Sequence, residues 1–251
     1  MMRKSQIDVF CREWAVDGLV IPIRVYSEPK RNNWRVSIAS QSVIMRFPSR
    51  EWHKASSTCL EWGQTWLKLQ MIRSPHLFSR FKEKKYFSGK VIFTCFGYYE
   101  LRLQDSAKSG SQSSIRHGLI ILNLSNSMDA TTRNRTVPML ISKALVNHHR
   151  QDFCELVSQI NQETFQFRYN KIMLKYTHHM WGSCSFRRNL NFSTRLFMAP
   201  DPVIRYLIIH ELAHLQYYDH SRRFWSLVRR AMPEYTIWNR WLREQGPMLQ
   251  F

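Results

Sequence analysis

His210-Glu211-Leu212-Ala213-His214, with His220 six residues further on, decides how the chain is read. Two histidines four apart on a helix project from one face, one turn above the other. At that spacing both imidazoles reach one Zn2+ at nitrogen–metal distances of about 2.0–2.1 Å. Glu211 lies about 100° further around the helix, beside the metal's open position and not on it. A carboxylate there takes a proton from water that the metal has activated, as the His-Glu-x-x-His pattern requires. A catalytic zinc takes three protein ligands and keeps one exchangeable position, so His220 is the expected third ligand. On an unbroken helix the step from His210 to His220 would span about 15 Å. Tyr218-Asp219 is the expected helix end, and the chain has to fold back there for His220 to ligate. The plainer alternative is a chance pattern of satisfied surface histidines.

Pro200-Asp201-Pro202 is a helix start signal, with Asp201 able to accept from the first free N–H groups and Pro202 at the first helical position. From Val203 to Tyr218 nearly every residue outside the motif is apolar, which predicts a buried helix over that span. Buried histidines and a carboxylate need partners, and a metal ion supplies one. Upstream, Phe167–Tyr176 and Leu190–Met198 read as strands flanking a tight turn at Trp181–Ser185. Downstream, Ser221 caps a helix whose buried stripe is Phe224, Trp225, Leu227, Val228, Ala231 and Met232. Arg222, Arg223, Ser226, Arg229 and Arg230 form its opposite stripe, which either grips anions or keeps a solvated face soluble. Pro233 ends that helix, and Tyr235 to Leu242 pack a last one.

Over Trp181 to Trp241 these residues resemble the YgjP-like metallopeptidase family of zincins. The resemblance is carried by Trp181-Gly182-Ser183-Cys184-Ser185, Asn189-Leu190-Asn191, Arg195-Leu196 and Ala199-Pro200 ahead of the motif helix. It continues through His210-Glu-Leu-Ala-His214, Asp219-His220-Ser221, Phe224-Trp225, Pro233-Glu234-Tyr235 and Trp241-Leu242. Gly97 to Leu103 is similar to one of the family's strands. The chain departs from the family by carrying Asp219 in place of the usual Asn, and by extra residues between Asn191 and Leu196. The resemblance implies a peptidase with one Zn2+ held by His210, His214 and His220, and Glu211 as the catalytic base. It also implies Trp181 and Arg195 on the substrate side and a substrate strand added to a sheet edge, for which Asn189–Met198 is the candidate. An oxyanion partner is expected among Tyr217, Tyr218, His178 and Arg195.

The earlier part of the chain changes period. Leu19, Ile21, Ile23 and Val25 alternate as a strand with one buried face, and Pro22 on the other parity favours an edge position. Trp34, Val36 and Ile38, then Val43, Met45 and Phe47, extend this into an antiparallel meander. Trp52 to Leu69 shifts to spacings of three and four, an amphipathic helix ending before Ser74-Pro75. Arg80 to Lys90 interleaves basic and aromatic residues, a solvated connector or a surface for single-stranded nucleic acid. Strands follow at Val91–Cys95, Tyr99–Leu103 and Leu119–Leu124, with a flexible Ser106–Ser114 loop. After a polar connector, Thr136 caps a long helix from Ile141 to Ile160, in which His148 and His149 take solvent or cap roles. The expected class is α+β: a β-rich N-terminal region over 1–135 with one amphipathic helix, and a zincin-like domain over 136–251 carrying the metal-binding helix.

The chain has 251 residues, 37 Lys+Arg against 18 Asp+Glu, and a formal charge of +19. Such an excess attracts polyanions by long-range field, whatever the fold. Five widely spaced cysteines without a Cys-x-x-Cys pair argue for free thiols. No apolar run has the length of a transmembrane segment, and charges interrupt any N-terminal signal core. A cytoplasmic protein is the expectation. Three functions remain open on the sequence. The first is zinc-dependent hydrolysis of a peptide or protein substrate. The second is metal-dependent pyrophosphohydrolysis of a nucleotide such as a nucleoside triphosphate. The third is a nucleic-acid-associated zinc protein using its basic surface.

Overall fold

Alternating apolar residues build the first sheet of the computed structural model, which describes residues 10–16, 19–29, 32–39, 42–49, 52–81, 86–107 and 110–251. Strands β1 (Phe10–Val16), β2 (Leu19–Glu28), β3 (Arg35–Ile38) and β4 (Val43–Pro48) lie in the order β1-β2-β4-β3. Ile21, Ile23, Val25, Val43, Met45 and Phe47 are fully buried on one face, as their period of two requires. The simple meander gives way to a crossover, because β2 pairs with β4 in parallel. Pro22 faces Glu13 of β1, while the β4 ladder begins one residue later at Ile23↔Val43. The missing N–H therefore falls where β2 has a neighbour on only one side. Helix α1 (Trp52–Arg73) covers the sheet through Leu67, and stops before Ser74-Pro75 as expected. Gly63 permits its close approach, since a Cβ there would lie 2.0 Å from Met45 Cε and 3.2 Å from the Trp14 ring.

Residues Met1–Glu83 form one compact unit and Lys84–Phe251 a second. The division lies well upstream of the 135/136 boundary expected from the sequence. The reason is the second sheet, made of β5 (Val91–Thr94), β6 (Gly97–Ser106), β7 (Gln112–Arg116) and β8 (Leu119–Ser125) in the order β5-β6-β8-β7. Its Leu101, Ile120, Leu122 and Leu124 share one buried core with Val137 and Ile141 of helix α2 (Ala130–Glu163) and with the helix that carries the histidines. A sheet with one apolar face packs on whatever covers it, and here the cover is C-terminal. The basic segment expected over Arg80–Lys90 falls partly outside the described residues. The flexible loop expected up to Ser114 gives way to β7.

Helix α2 starts six residues before the expected Thr136 cap. Asp129 caps it instead, accepting from Thr132 N–H at 2.9 Å, so the polar connector becomes its first turns and Pro138 falls inside. The third sheet has the order β10-β11-β9, with β9 (Ile172–Lys175), β10 (Gly182–Cys184) and β11 (Leu190–Ser193). This corrects the candidate edge: Asn189–Met198 contains the central strand followed by a 3-10 turn, and β10 is an edge. Helices α3 (Asp201–Ala213), α4 (Arg222–Ala231) and α5 (Tyr235–Glu244) complete the unit. Among the described residues Cys95, Cys154 and Cys184 are free thiols, and no helix is long and apolar enough to cross a membrane.

Candidate metal centre

Helix α3 is apolar nearly all round, and Val203, Ile204, Leu207, Ile208, Ile209 and Leu212 are buried. It ends earlier than the hydrophobic pattern suggests. His214 is its C-cap and keeps helical backbone angles, so it still stands one turn above His210. The N–H groups of Gln216 and Tyr217 then both turn back to the Ala213 carbonyl, at 3.1 and 3.0 Å. That reversal brings His220 back over the helix end. Asp219 Oδ1 accepts from Ser221 N–H at 3.2 Å, and Ser221 Oγ accepts from Phe224 N–H, starting α4 directly after the third histidine.

The structure gathers the three predicted histidines. His210 Nε2 lies 3.2 Å from His214 Nε2 and 3.2 Å from His220 Nε2. One nitrogen of each lies within 4.8 Å of the others. Tetrahedral ligation at about 2.0–2.1 Å would place neighbouring nitrogens roughly 3.3 Å apart, so two edges already have the size a zinc ion needs. Tautomers agree with this. His214 Nδ1 donates to the Tyr217 carbonyl at 2.9 Å, which puts its proton there and leaves Nε2 a bare lone pair. Tyr206 Oη stands 3.4 Å from His210 Nδ1 in the corresponding position. Phe224 packs against all three rings, at centroid distances of 4.9, 4.5 and 4.9 Å for His210, His214 and His220.

At His210 and His214 the electrostatics favour the neutral imidazole, the form that ligates. Burial, then the neighbouring His214 and His220, push the His210 pKa down to about 3. His214 is lowered too, first by burial, with His220 adding to it and its bond to Tyr217 opposing. Glu211 is 3% exposed, and burial pushes its carboxyl up to about 8. Its Oε2 is one of three buried side-chain polar atoms among the described residues without a hydrogen-bond partner. A buried carboxyl without a partner is costly, so this atom is aimed at something the polypeptide does not supply. Three gathered imidazole nitrogens, with an unsatisfied carboxyl on the residue next to His210, fit a catalytic zinc site.

Gly182 was not singled out by its own chemistry, yet it touches the site. A Cβ on it would lie 2.3 Å from Glu211 Oε1, so the carboxyl lies flat on the backbone of edge strand β10. The two sequence candidates for the substrate side, Trp181 just before that strand and Arg195 in the turn after β11, take supporting positions. Arg195 is 3% exposed and donates to the carbonyls of Leu249 (2.7 Å), Gly246 (3.2 Å), His178 (3.4 Å) and Thr177 (3.5 Å). Its guanidinium also lies 4.2 Å over the half-buried Trp181 ring. It is spent on holding Trp181 and the segment 246–249 together, which corrects the expectation that it faces substrate. Of the other oxyanion candidates, Tyr217 is half-buried beside His214, Tyr218 is 47% exposed against Phe186, and His178 packs edge-on to Tyr176.

The family profile described as YgjP-like, metallopeptidase domain, matches residues 32–245. No curated protein matches the chain significantly. Among solved structures, the metallopeptidase zymogen abylysin of Pyrococcus abyssi is 20% identical, over 38% of this chain and 95% of that one, with a TM-score of 0.34.

Proposed function

This chain belongs to the YgjP-like metallopeptidase family, and from that premise we propose that it is a zincin-like, zinc-dependent peptidase of the His-Glu-x-x-His type. The observation that carries the proposal is the convergence of three Nε2 atoms, with a buried carboxyl on the residue after His210 whose Oε2 has no hydrogen-bond partner. His210, His214 and His220 would hold one zinc ion. Bound there, zinc supplies Lewis acidity, polarising a carbonyl and making water a proton donor near pH 7. Glu211 is the general base: its Oε2 accepts the proton of the attacking water and delivers it to the leaving amine. Gly182 lets that carboxyl lie against the strand, and the Tyr217 carbonyl fixes the His214 ring. Edge strand β10 is the place where an extended peptide adds as a further strand, gripped by main-chain bonds. Trp181 and Arg195 act as positioning residues behind that edge.

Family membership favours a peptide or protein substrate, and the nucleotide and nucleic-acid readings gain nothing from it. The test is Glu211→Gln assayed beside the unsubstituted chain on unfolded protein. Zinc content should stay at one per chain while hydrolysis falls by roughly 10²–10⁴-fold, the contribution expected of a general base. Equal rates in the two proteins would remove Glu211 from the reaction.

A further inference from the structure

Three arginines of α4 have no part in the mechanism above. Arg222, Arg223 and Arg230 line a pocket of about 330 Å³ together with Ser226, Leu227 and Tyr217. All three are exposed, and no carboxylate among the described residues lies within ion-pair distance of them. Arg229 is set apart, its guanidinium 6.0 Å from the Tyr235 ring. The four-arginine stripe read from the sequence therefore splits into three that share a concavity and one that does not. Guanidiniums that line one concavity repel one another, and an anion held among them offsets that repulsion.

The pocket adjoins the histidines. Tyr217 is a wall of it, and the same residue's carbonyl holds His214. Arg223 precedes Phe224, whose ring stacks on His214 at 4.5 Å. The shape selects among anions. A groove for single-stranded nucleic acid spaces its cations along a track and adds aromatic platforms for bases. Here one pocket is lined by all three arginines, with Tyr217 its single aromatic lining residue and Leu227 its apolar wall. That suits one carboxylate on a short aliphatic stem, with guanidinium forks matching its two oxygens.

We propose that this pocket is a substrate subsite for a peptide carboxylate, from an Asp or Glu side chain or a free C-terminus, held by Arg222, Arg223 and Arg230. The assignment rests on the peptidase reading, and two experiments separate their fates. In the first, the zinc-loaded chain digests a library of proteome-derived peptides and mass spectrometry reads the cut sites. Asp and Glu should be enriched about tenfold at one position fixed relative to the cut, equivalent to about 1.4 kcal/mol. Enrichment near free termini that amidation abolishes would assign the terminal carboxylate instead. In Arg223→Glu/Arg230→Glu the acidic preference should turn to Lys, whereas Arg229→Glu should keep it. Cleavage without acidic preference, or a preference surviving the double reversal, overturns the subsite and leaves the peptidase standing.

The second experiment needs no turnover. Fluorescence anisotropy compares a labelled Glu-rich peptide with its Gln-rich counterpart on the Glu211→Gln protein. The Glu-rich peptide should bind about tenfold tighter, and the advantage should shrink with added salt and vanish in the double reversal. Arg223→Gln/Arg230→Gln serves if charge reversal unfolds the chain. If the library stays uncut while this difference holds, the peptidase reading fails and the carboxylate pocket stands. Equal binding overturns the pocket. So does tighter binding of an oligothymidylate of the same length that is lost in the same variant, which would make the occupant a phosphate chain.

Discussion

His149 on α2 and His210 on α3 both belong to the second unit, and their ring nitrogens keep different company. His149 is buried, with Nε2 2.5 Å from Tyr99 Oη, Nδ1 2.6 Å from Asp152 Oδ2, and Phe96 stacked on its face at 4.1 Å. Both nitrogens are satisfied within the polypeptide. His210 instead points Nε2 at two other imidazole nitrogens, at 3.2 Å each, beside a carboxyl oxygen with no partner. His214 already donates its Nδ1–H to a carbonyl, so its Nε2 lone pair faces the cluster. Each nitrogen of an imidazole has one donor or acceptor role to fill. Where the chain fills both, the histidine is structural; where it leaves several turned toward one point, the set could hold a cation.

The strongest way to break that contrast is to remove a ring from each place. His214→Ala should cost more zinc affinity than the roughly 10–100-fold lost with an outer-shell partner, measured by competition with a chromogenic chelator. His149→Phe, which keeps the stack on Phe96, should bind zinc like the unsubstituted chain. Equal losses in the two would dissolve the distinction. Next in size is Gly182→Ala. The added methyl would fall 2.3 Å from Glu211 Oε1, so the carboxyl must move. A displacement of that scale costs about 10²-fold in turnover, with zinc stoichiometry unchanged. If turnover holds, Glu211 does not depend on its seat against β10.

How much of this was legible before the structure follows from where each partner lies in the sequence. The histidine triad was legible because its spacing is local, and a fold-back ahead of His220 followed from requiring all three rings to reach one ion. The end of α3 was not, since the buried Leu215 continues the apolar pattern through a turn. Gly182 was read as part of a tight turn, yet it is not among the glycines with positive φ. What requires a glycine there is clearance for Glu211, which lies on another element. His149 looked like a solvent or cap residue because Tyr99 is 50 residues upstream. Arg195 looked like a substrate contact because its carbonyl partners at Gly246 and Leu249 lie 51 and 54 residues away. The domain boundary failed for a similar reason. The β-rich stretch reads as one composition, but its second sheet finds its cover in α2, which runs on beyond that boundary.

A matched pair of smaller substitutions sharpens the contrast further, because each place pairs a tyrosine hydroxyl with a histidine nitrogen. Tyr99→Phe removes the partner of a buried nitrogen that has no other, which should lower unfolding stability by about 1–3 kcal/mol and leave zinc affinity alone. Urea denaturation of the zinc-free chain reads this directly. Tyr206→Phe should do the reverse and do less. Its hydroxyl is 3.4 Å from His210 Nδ1, at the long end of hydrogen bonding. It therefore stabilises the apo protein little, and its service is to orient the ring for a ligand. The expected loss is at the low end of an outer-shell partner, about tenfold in zinc affinity, with the urea midpoint of the zinc-free chain nearly unmoved. If Tyr206→Phe instead destabilises the apo chain as much as Tyr99→Phe does, His210 is held for the fold's sake, and the difference between the two histidines is one of degree.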